Sequence, residues 1–413
     1  MKTKKHNILF ILPFFPWPLK SGGHQAIFNG LYVLKDYANI YITYEKGINE
    51  KHDFLALEKI FGRKITILPY IRTNNNNRIT NFTKRVLNKI LRLITTPTLE
   101  EKARNFMQTD LHETNYYYFV NNIINTYSID IVQIEMIENI DFVLSIPQNV
   151  KKIFVHHELR YIRNKLYLMQ KESSIFENVL LDIERIKEIS LLNRFDKIIT
   201  LSDIDKRKLI EMGIKIPIHT SFAVVHTNES INITNSTIKH NRVLSFVGPE
   251  KHTPNKLGLK WFLDNCWEKL REYDSSYQLQ IIGIWSEVTQ QQWKSKYDNI
   301  IFLGFVDNLS SIISTTIMIV PITVGSGIRM KILEAMSNKV PFISTSVGAE
   351  GISVRNGIDC FIADHPSTFI KSIISLEDID LRNQFVESAF QFVKENYSID
   401  KLKDNRINIY ESI

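Results

Sequence analysis

The feature that most narrows the possible fold is an alternation, sustained along the whole chain, of short apolar runs with longer amphipathic stretches. Parallel strands are buried on both faces and need a crossover of a dozen or more residues, so this pattern predicts βαβ units built on parallel sheets. Strand candidates in the first half are Ile8–Leu12, Ile40–Tyr44, Ile65–Leu68, Ile131–Ile134, Ile153–Val155 and Lys197–Thr200. A second series follows at Arg242–Val247, Gln278–Ile282, Ile300–Leu303, Ile317–Val320, Pro341–Ser344 and Cys360–Ala363. Between the two lies Thr227–Asn241, polar and rich in Asn, Ser and Thr, which reads as an interdomain linker. The expectation is an α/β protein of two Rossmann-like domains, residues 1–226 and 242–396, with a last helix within 397–413 that needs a surface to pack on. A chain of 413 residues fits two cores better than one, because single cores stop growing near ~250–300 residues.

Composition excludes several classes. With 44% hydrophobic residues the chain is neither disordered nor fibrous. Its two cysteines, Cys266 and Cys360, stand far apart and offer no disulfide framework or zinc cluster, so a reducing, cytoplasmic setting is expected. Lys2, Lys4 and Lys5 precede an apolar run in the manner of a signal peptide. Pro13, Pro16 and Pro18 break that run, however, and it reads as a buried strand. No other stretch approaches the ~18 continuous apolar residues of a spanning helix.

Charge is unevenly spread. Between Lys59 and Leu99 stand nine basic residues and no acidic one, against a net charge of +7 for the whole chain. Within that window Ile79, Phe82, Val86, Ile90 and Leu93 recur at helical spacing, which predicts a cationic amphipathic helix over residues 78–94. Such a helix either lies on an anionic membrane surface, each Lys or Arg contributing about 1 kcal/mol, or packs its apolar stripe on its own domain. Nucleic acid is not the expected partner, since the charge is not interleaved with a series of stacking aromatic residues.

The segment richest in chemistry is Pro321 to Met336. A strand ends at Val320, a loop carrying Gly325, Ser326 and Gly327 follows, and a helix begins close behind. Free backbone N–H groups and the positive end of the helix dipole then converge on one point, where an anion belongs. Arg329 and Lys331 lie near the same helix start, an unfavourable place for cations unless a negative ligand sits between them and the backbone. Asp203 with Asp205, and Asp378 with Asp380, form Asp-x-Asp pairs at helix starts and read as caps, so no metal site is expected.

The run from Gly325 through Lys339, Val340, Pro341, Thr345, Gly348, Ala349, Glu350, Gly351 and Gly357 resembles the nucleotide-sugar site of GT-B glycosyltransferases, specifically the retaining group 1 class often called family 4. Phe246-Val247-Gly248, Pro254-Asn255, Trp261-Phe262, Ile281-Ile282-Gly283 and Phe302 to Val306 resemble that family too, as do Pro13 to Gly23 and Asp196 to Ser202 in the first half. The resemblance implies a GT-B fold, with two Rossmann-like domains facing a central cleft and the C-terminal helix crossing back to the first domain.

It also implies roles. The donor is a UDP- or GDP-linked sugar and the acceptor a glycan, lipid-linked or other hydroxyl. Transfer proceeds with retention and without a metal, in cell-surface polysaccharide or glycolipid assembly, and the protein is cytoplasmic or peripheral on the inner membrane face. Glu334 would bind the ribose hydroxyls, since a carboxylate accepts two hydrogen bonds from a vicinal diol. Gly325, Ser326 and Gly327 would hold the phosphates, with Gly22 and Gly23 facing them from the opposite domain. Phe305 and Val306 would lie at the base. Glu135, at a strand end, is the candidate for touching the transferred sugar or orienting the acceptor. Of the adjacent pair His156 and His157, strand register favours His156 for the cleft, with His157 nearly equal. The sequence departs from the family at Ser326, where a Glu is usual, and at Pro249 and Asn255, where an Arg and a Lys are usual. Arg329 and Lys331 are the expected replacements. An epimerase of similar architecture, or a nucleotide-binding scaffold without turnover, are the alternatives.

Overall fold

The computed structural model describes residues 5–48, 50–62, 64–72, 112–225 and 242–413. The basic stretch 78–94 and the linker 227–241 lie outside the described residues.

The first domain is built on a seven-stranded parallel sheet. Its strands are β1 (Asn7–Ile11), β2 (Asn39–Thr43), β4 (Ile65–Ile67), β6 (Ile131–Glu135), β7 (Lys151–His156), β8 (Lys197–Thr200) and β9 (Ile218–Thr220). They stand in the order β4-β2-β1-β6-β7-β8-β9, and the two-residue strands β3 (Glu45–Lys46) and β5 (Tyr70–Ile71) pair alongside. The second domain carries a six-stranded parallel sheet of β10 (Val243–Val247), β11 (Gln278–Ile282), β12 (Ile300–Gly304), β13 (Ile317–Val320), β14 (Phe342–Ser344) and β15 (Phe361–Ile362). Its order is β12-β11-β10-β13-β14-β15.

Successive side chains on a strand point to opposite faces. On β1, Ile8 and Phe10 enter one core cluster while Leu9 and Ile11 enter another, all fully buried. A strand covered on both sides has no place for polar alternation, which is why these segments read as continuous apolar runs. The expected strands all recur with ends shifted by at most two residues. Strand β9 escapes a hydrophobic scan because it is three residues long and has His219 at its centre.

Each sheet reverses its winding once: between β1 and β6 in the first domain, and between β10 and β13 in the second. Loops leaving such a pair at their carboxyl ends diverge to opposite faces and open a crevice, where ligands of open α/β sheets bind. The crevice loops are those after Ile11 and Glu135 on one side and after Val247 and Val320 on the other. The chain ends in two helices. Ile379–Asn396 packs on the Met330–Ser337 helix of the second domain, and Ile399–Glu411 packs on the Gly22–Tyr32 helix of the first. Lys197 Nζ anchors the end of the last helix, donating to Ile409 O at 3.1 Å and Ser412 Oγ at 2.6 Å.

Candidate active site

The loop between β13 and the Met330–Ser337 helix turns through two glycines in the left-handed region, Gly325 with φ 151° and Gly327 with φ 77°. Side chains other than glycine rarely adopt these angles. Among the described residues the helix that follows has no side-chain cap and no acid in its first turn, so its amino-terminal N–H groups and dipole are left for a ligand.

This loop lies against the first domain. Ser326 Oγ donates to Leu159 O at 3.0 Å, and a Cβ on Gly327 would stand 2.4 Å from His157 O. The Gly22–Tyr32 helix of the first domain points its own amino end at the same place. A Cβ on Gly22 would stand 2.7 Å from Met330 Cβ, and Gln25 Nε2 donates to Glu334 Oε1 one turn further along. Two helix amino ends, one from each domain, therefore meet in the gap. Ser21 caps the first, accepting from His24 N, and the His24 ring stacks on Phe14 with centroids 4.1 Å apart. Burial, with help from Lys20, lowers the His24 pKa to about 4.

Arg329 is 7% exposed. Its Nη1 donates to Ser326 O and, at 2.7 Å, to Gly327 O, so the guanidinium folds back on its own loop. Its Nε and Nη2 are buried with no hydrogen-bond partner among the described residues. Burial pulls its pKa down, while Glu158, Glu350 and Asp205 draw it up. Leaving buried guanidinium donors unmade is costly, and an anion entering the gap would satisfy them. Lys331 extends the other way, donating to Asn255 Oδ1 at 2.9 Å with its ammonium 4.5 Å from the Phe246 ring centroid. It thus ends beside the carboxyl end of β10, against the residue that stands where the family usually has a lysine. Burial, reinforced by the Arg329 charge, lowers the Lys331 pKa to about 7. Burial likewise raises that of Glu334.

The two histidines exchange their expected places. His156 is 2% exposed and points inward, its Nε2 2.7 Å from Glu188 Oε1, so it is not a cleft residue. Register does place His156 on the face of Phe154, with ring centroids 5.3 Å apart, but that face packs on the Ile175–Leu192 helix that carries Glu188, and the next side chain, on the other side, meets the gap. It is His157 that meets Glu135, Nε2 to Oε2 at 2.5 Å. Glu135 Oε1 accepts from Gln133 Nε2, and Gln133 Oε1 accepts from the Tyr410 hydroxyl. Glu158 follows in the same loop, 2.8 Å from Arg163 Nη1. Although its burial opposes ionisation, His252, Arg163 and Arg329 bring its pKa to about 2. His157 was the near-equal alternative to His156, whereas Glu158, Gln133 and Gln25 were not among the predicted site. One signal was available: Gln133 and Glu135 are polar, two apart and so on one face of a strand otherwise written in Ile and Val.

Phe305 is 49% exposed just beyond β12, and Val306 is half-buried. Strand β12 stands three places from β13, roughly 14 Å at the usual strand spacing, so a ligand touching both ends of the site must be extended. The Asp-x-Asp pairs lie at helix starts. Ser202 caps Asp203–Met212 and bonds Asp205, and Asp378 accepts from Asp380 N and Leu381 N. A cavity of about 680 Å³ lies at the opposite, amino ends of β1, β6 and β7, lined by His6, Asp130 and Lys151 among others, and it does not border the loop.

Two parallel sheets with their crevices turned toward one gap define the GT-B class. Solved structures agree over nearly full length: sucrose-phosphate synthase from Thermosynechococcus elongatus has a TM-score of 0.72, 11% identity, and covers 99% of each chain. Anabaena HepE in complex with UDP and glucose has a TM-score of 0.68 and 12% identity, covering 99% of this chain and 100% of that one. Residues 241–378 match the family model described as "Glycosyl transferases group 1", and the second domain is a group 1 glycosyltransferase domain. An uncharacterized 44.6 kDa protein in the cps region of Klebsiella pneumoniae is 28% identical over 251 residues, 57% of this chain. That alignment spans 62% of the relative's own length.

Proposed function

We propose that the chain is a glycosyltransferase that moves a sugar from a UDP- or GDP-linked donor to an acceptor hydroxyl. The observation that carries this reading is the meeting of two helix amino ends around Arg329, whose buried Nε and Nη2 await an acceptor. A diphosphate fits that demand. As the glycosidic bond breaks, negative charge grows on the departing nucleoside diphosphate, and donors fixed in advance around it lower the barrier without reorganising. Arg329, Lys331 and the amides of Gly325 to Gly327 do this from one domain, the amides near Gly22 and Gly23 from the other. Glu334 takes the ribose diol, exchanging its bond to Gln25, and the exposed Phe305 ring lies along the base. The Glu135–His157 pair faces the transferred sugar. The protein's own cations and dipoles balance the diphosphate without a divalent metal, and the sugar keeps its anomeric configuration.

The cps-region relative supports an acceptor in polysaccharide assembly. A lipid-linked intermediate at the inner membrane face would suit the basic residues 78–94. The matches to glycosyl transferases favour transfer over the epimerase alternative. A panel of UDP- and GDP-sugars, with and without glycan acceptors and with EDTA throughout, tests the reading. Release of nucleoside diphosphate that depends on one donor is expected, with the product's anomeric coupling read by NMR. Product formed with no acceptor present and no diphosphate released would identify an epimerase. Failure of every donor to bind in calorimetry would reject the site.

A further inference from the structure

The last helix does more than cover the first domain. Tyr410, 1% exposed, reaches from it to the middle of β6 and donates to Gln133 Oε1. The order of donors along the chain from there has one solution. The Glu135 carboxylate only accepts, so the Gln133 amide turns its nitrogen toward Glu135, and its oxygen, which cannot donate, takes the proton of the Tyr410 hydroxyl. The flipped amide would set its oxygen against the carboxylate, two acceptors with no proton between them. Glu135 then receives Gln133 on Oε1 and His157 on Oε2. Oε2 can only accept, so His157 Nε2 carries the proton of that bond and Nδ1 is the ring's other nitrogen.

We infer that Tyr410 is a positioning residue that acts through Gln133 to fix the orientation and tautomer of the Glu135–His157 pair. The inference rests on the reading that this pair faces the sugar. All four groups are held in place. Gln133 and Glu135 are 1% and 3% exposed on one face of β6, and the last helix is pinned by Lys197 at Ile409 O and Ser412 Oγ. The groups facing Tyr410 are Arg406 on its own helix, Glu135, and Tyr37, whose ring centroid is 6.3 Å away. Because the preceding helix, Ile379–Asn396, packs on the Met330–Ser337 helix, the relay begins on the segment that ties the anion loop to the first domain.

Tyr410→Phe keeps the ring and deletes the hydroxyl. It is expected to lower kcat about 10- to 100-fold while donor KM changes less than about threefold, because orientation is lost and binding is not. In a His157→Ala background the same substitution should cost nothing further. In ¹⁵N-histidine spectra His157 should move from a single Nε2–H tautomer toward a mixture. Gln133→Met should reproduce each effect and carries the measurements if Tyr410→Phe does not fold. An equal kcat loss with and without His157, or an unmoved His157 tautomer, overturns the inference. The spectra decide it even if no donor is turned over, which would count against the glycosyltransferase reading alone.

Discussion

Arg329 is a buried cation whose charge is matched from a distance by Glu158, Glu350 and Asp205 but whose guanidinium, among the described residues, is hydrogen-bonded only to its own loop. Such a group destabilises the empty protein and stabilises whatever anion completes it. Arg329→Ala is therefore expected to lower kcat about 10²- to 10³-fold while leaving the thermal midpoint unchanged or raised, measured by steady-state kinetics beside calorimetry. Its neighbour Lys331 gives a pH signature. A lysine lowered to about 7 in the fold and ordinary when unfolded binds fewer protons in the native state between those values, so the stability of the empty protein rises with pH through that window. Donor affinity has the opposite sign, because the ammonium is lost above about 7. The donor Kd should weaken roughly tenfold between pH 7 and 8.5, and Lys331→Met should flatten that slope. The histidines separate in the same way. His157→Ala is expected to remove about 10²-fold or more of kcat. His156→Ala instead breaks the buried pair with Glu188 and acts on stability, shown by a lowered thermal midpoint.

At the scale of elements, the decisive contact is between two helix starts. Gly22 leaves 2.7 Å between a notional Cβ and Met330, closer than carbons approach, so Gly22→Val must push the helices apart. The expected outcome is a folded protein with an unchanged circular dichroism spectrum and a donor KM raised at least about tenfold, because the facing amides no longer reach one ligand. Gly213, which closes the Asp203–Met212 helix with nothing near its notional Cβ, makes the control by contrast: Gly213→Asn should leave donor KM unaltered. The same elements show what could be read without coordinates. The strands were legible because parallel sheets demand apolar runs, and the anion loop because glycines, a strand end and a helix start fall in one short segment. What could not be read were contacts between segments distant in sequence. Gln25 with Glu334 and Ser326 with Leu159 follow from how two domains close, and Tyr410 with Gln133 from where the last helix docks, none of which local pattern encodes. His156 was chosen over His157 for a related reason. Alternation put His156 beside Phe154 and His157 on the other face, but which face of β7 borders the gap is a tertiary fact.

For the whole molecule, the gap is bridged at several places at once: Gly22 on Met330, Gln25 on Glu334, the Gly327 loop on His157 and Leu159, and Lys208 on Glu350. The first three involve the site itself, so a donor entering must rearrange them. The last joins the Asp203–Met212 helix to the loop after β14 beside the site, where Glu350 also acts on the Arg329 charge. Water competes with any sugar acceptor, and a transferase that closes over its donor gains both the exclusion of water and the complete set of cations. If Lys208–Glu350 biases the domains toward closure, reversing one charge should open the equilibrium and reversing both should restore it. Lys208→Glu and Glu350→Lys are each expected to raise donor KM up to about fivefold, the scale of a partly exposed ion pair. The double variant should return to within about twofold of the parent, since the pair is then rebuilt with its signs exchanged. Small-angle scattering provides the structural half of the cycle. Each single variant without donor should have a larger radius of gyration than the parent, and the double variant should match it. Additive losses in the double variant would mean that the two residues act on the site separately and that closure is set by the loop contacts alone.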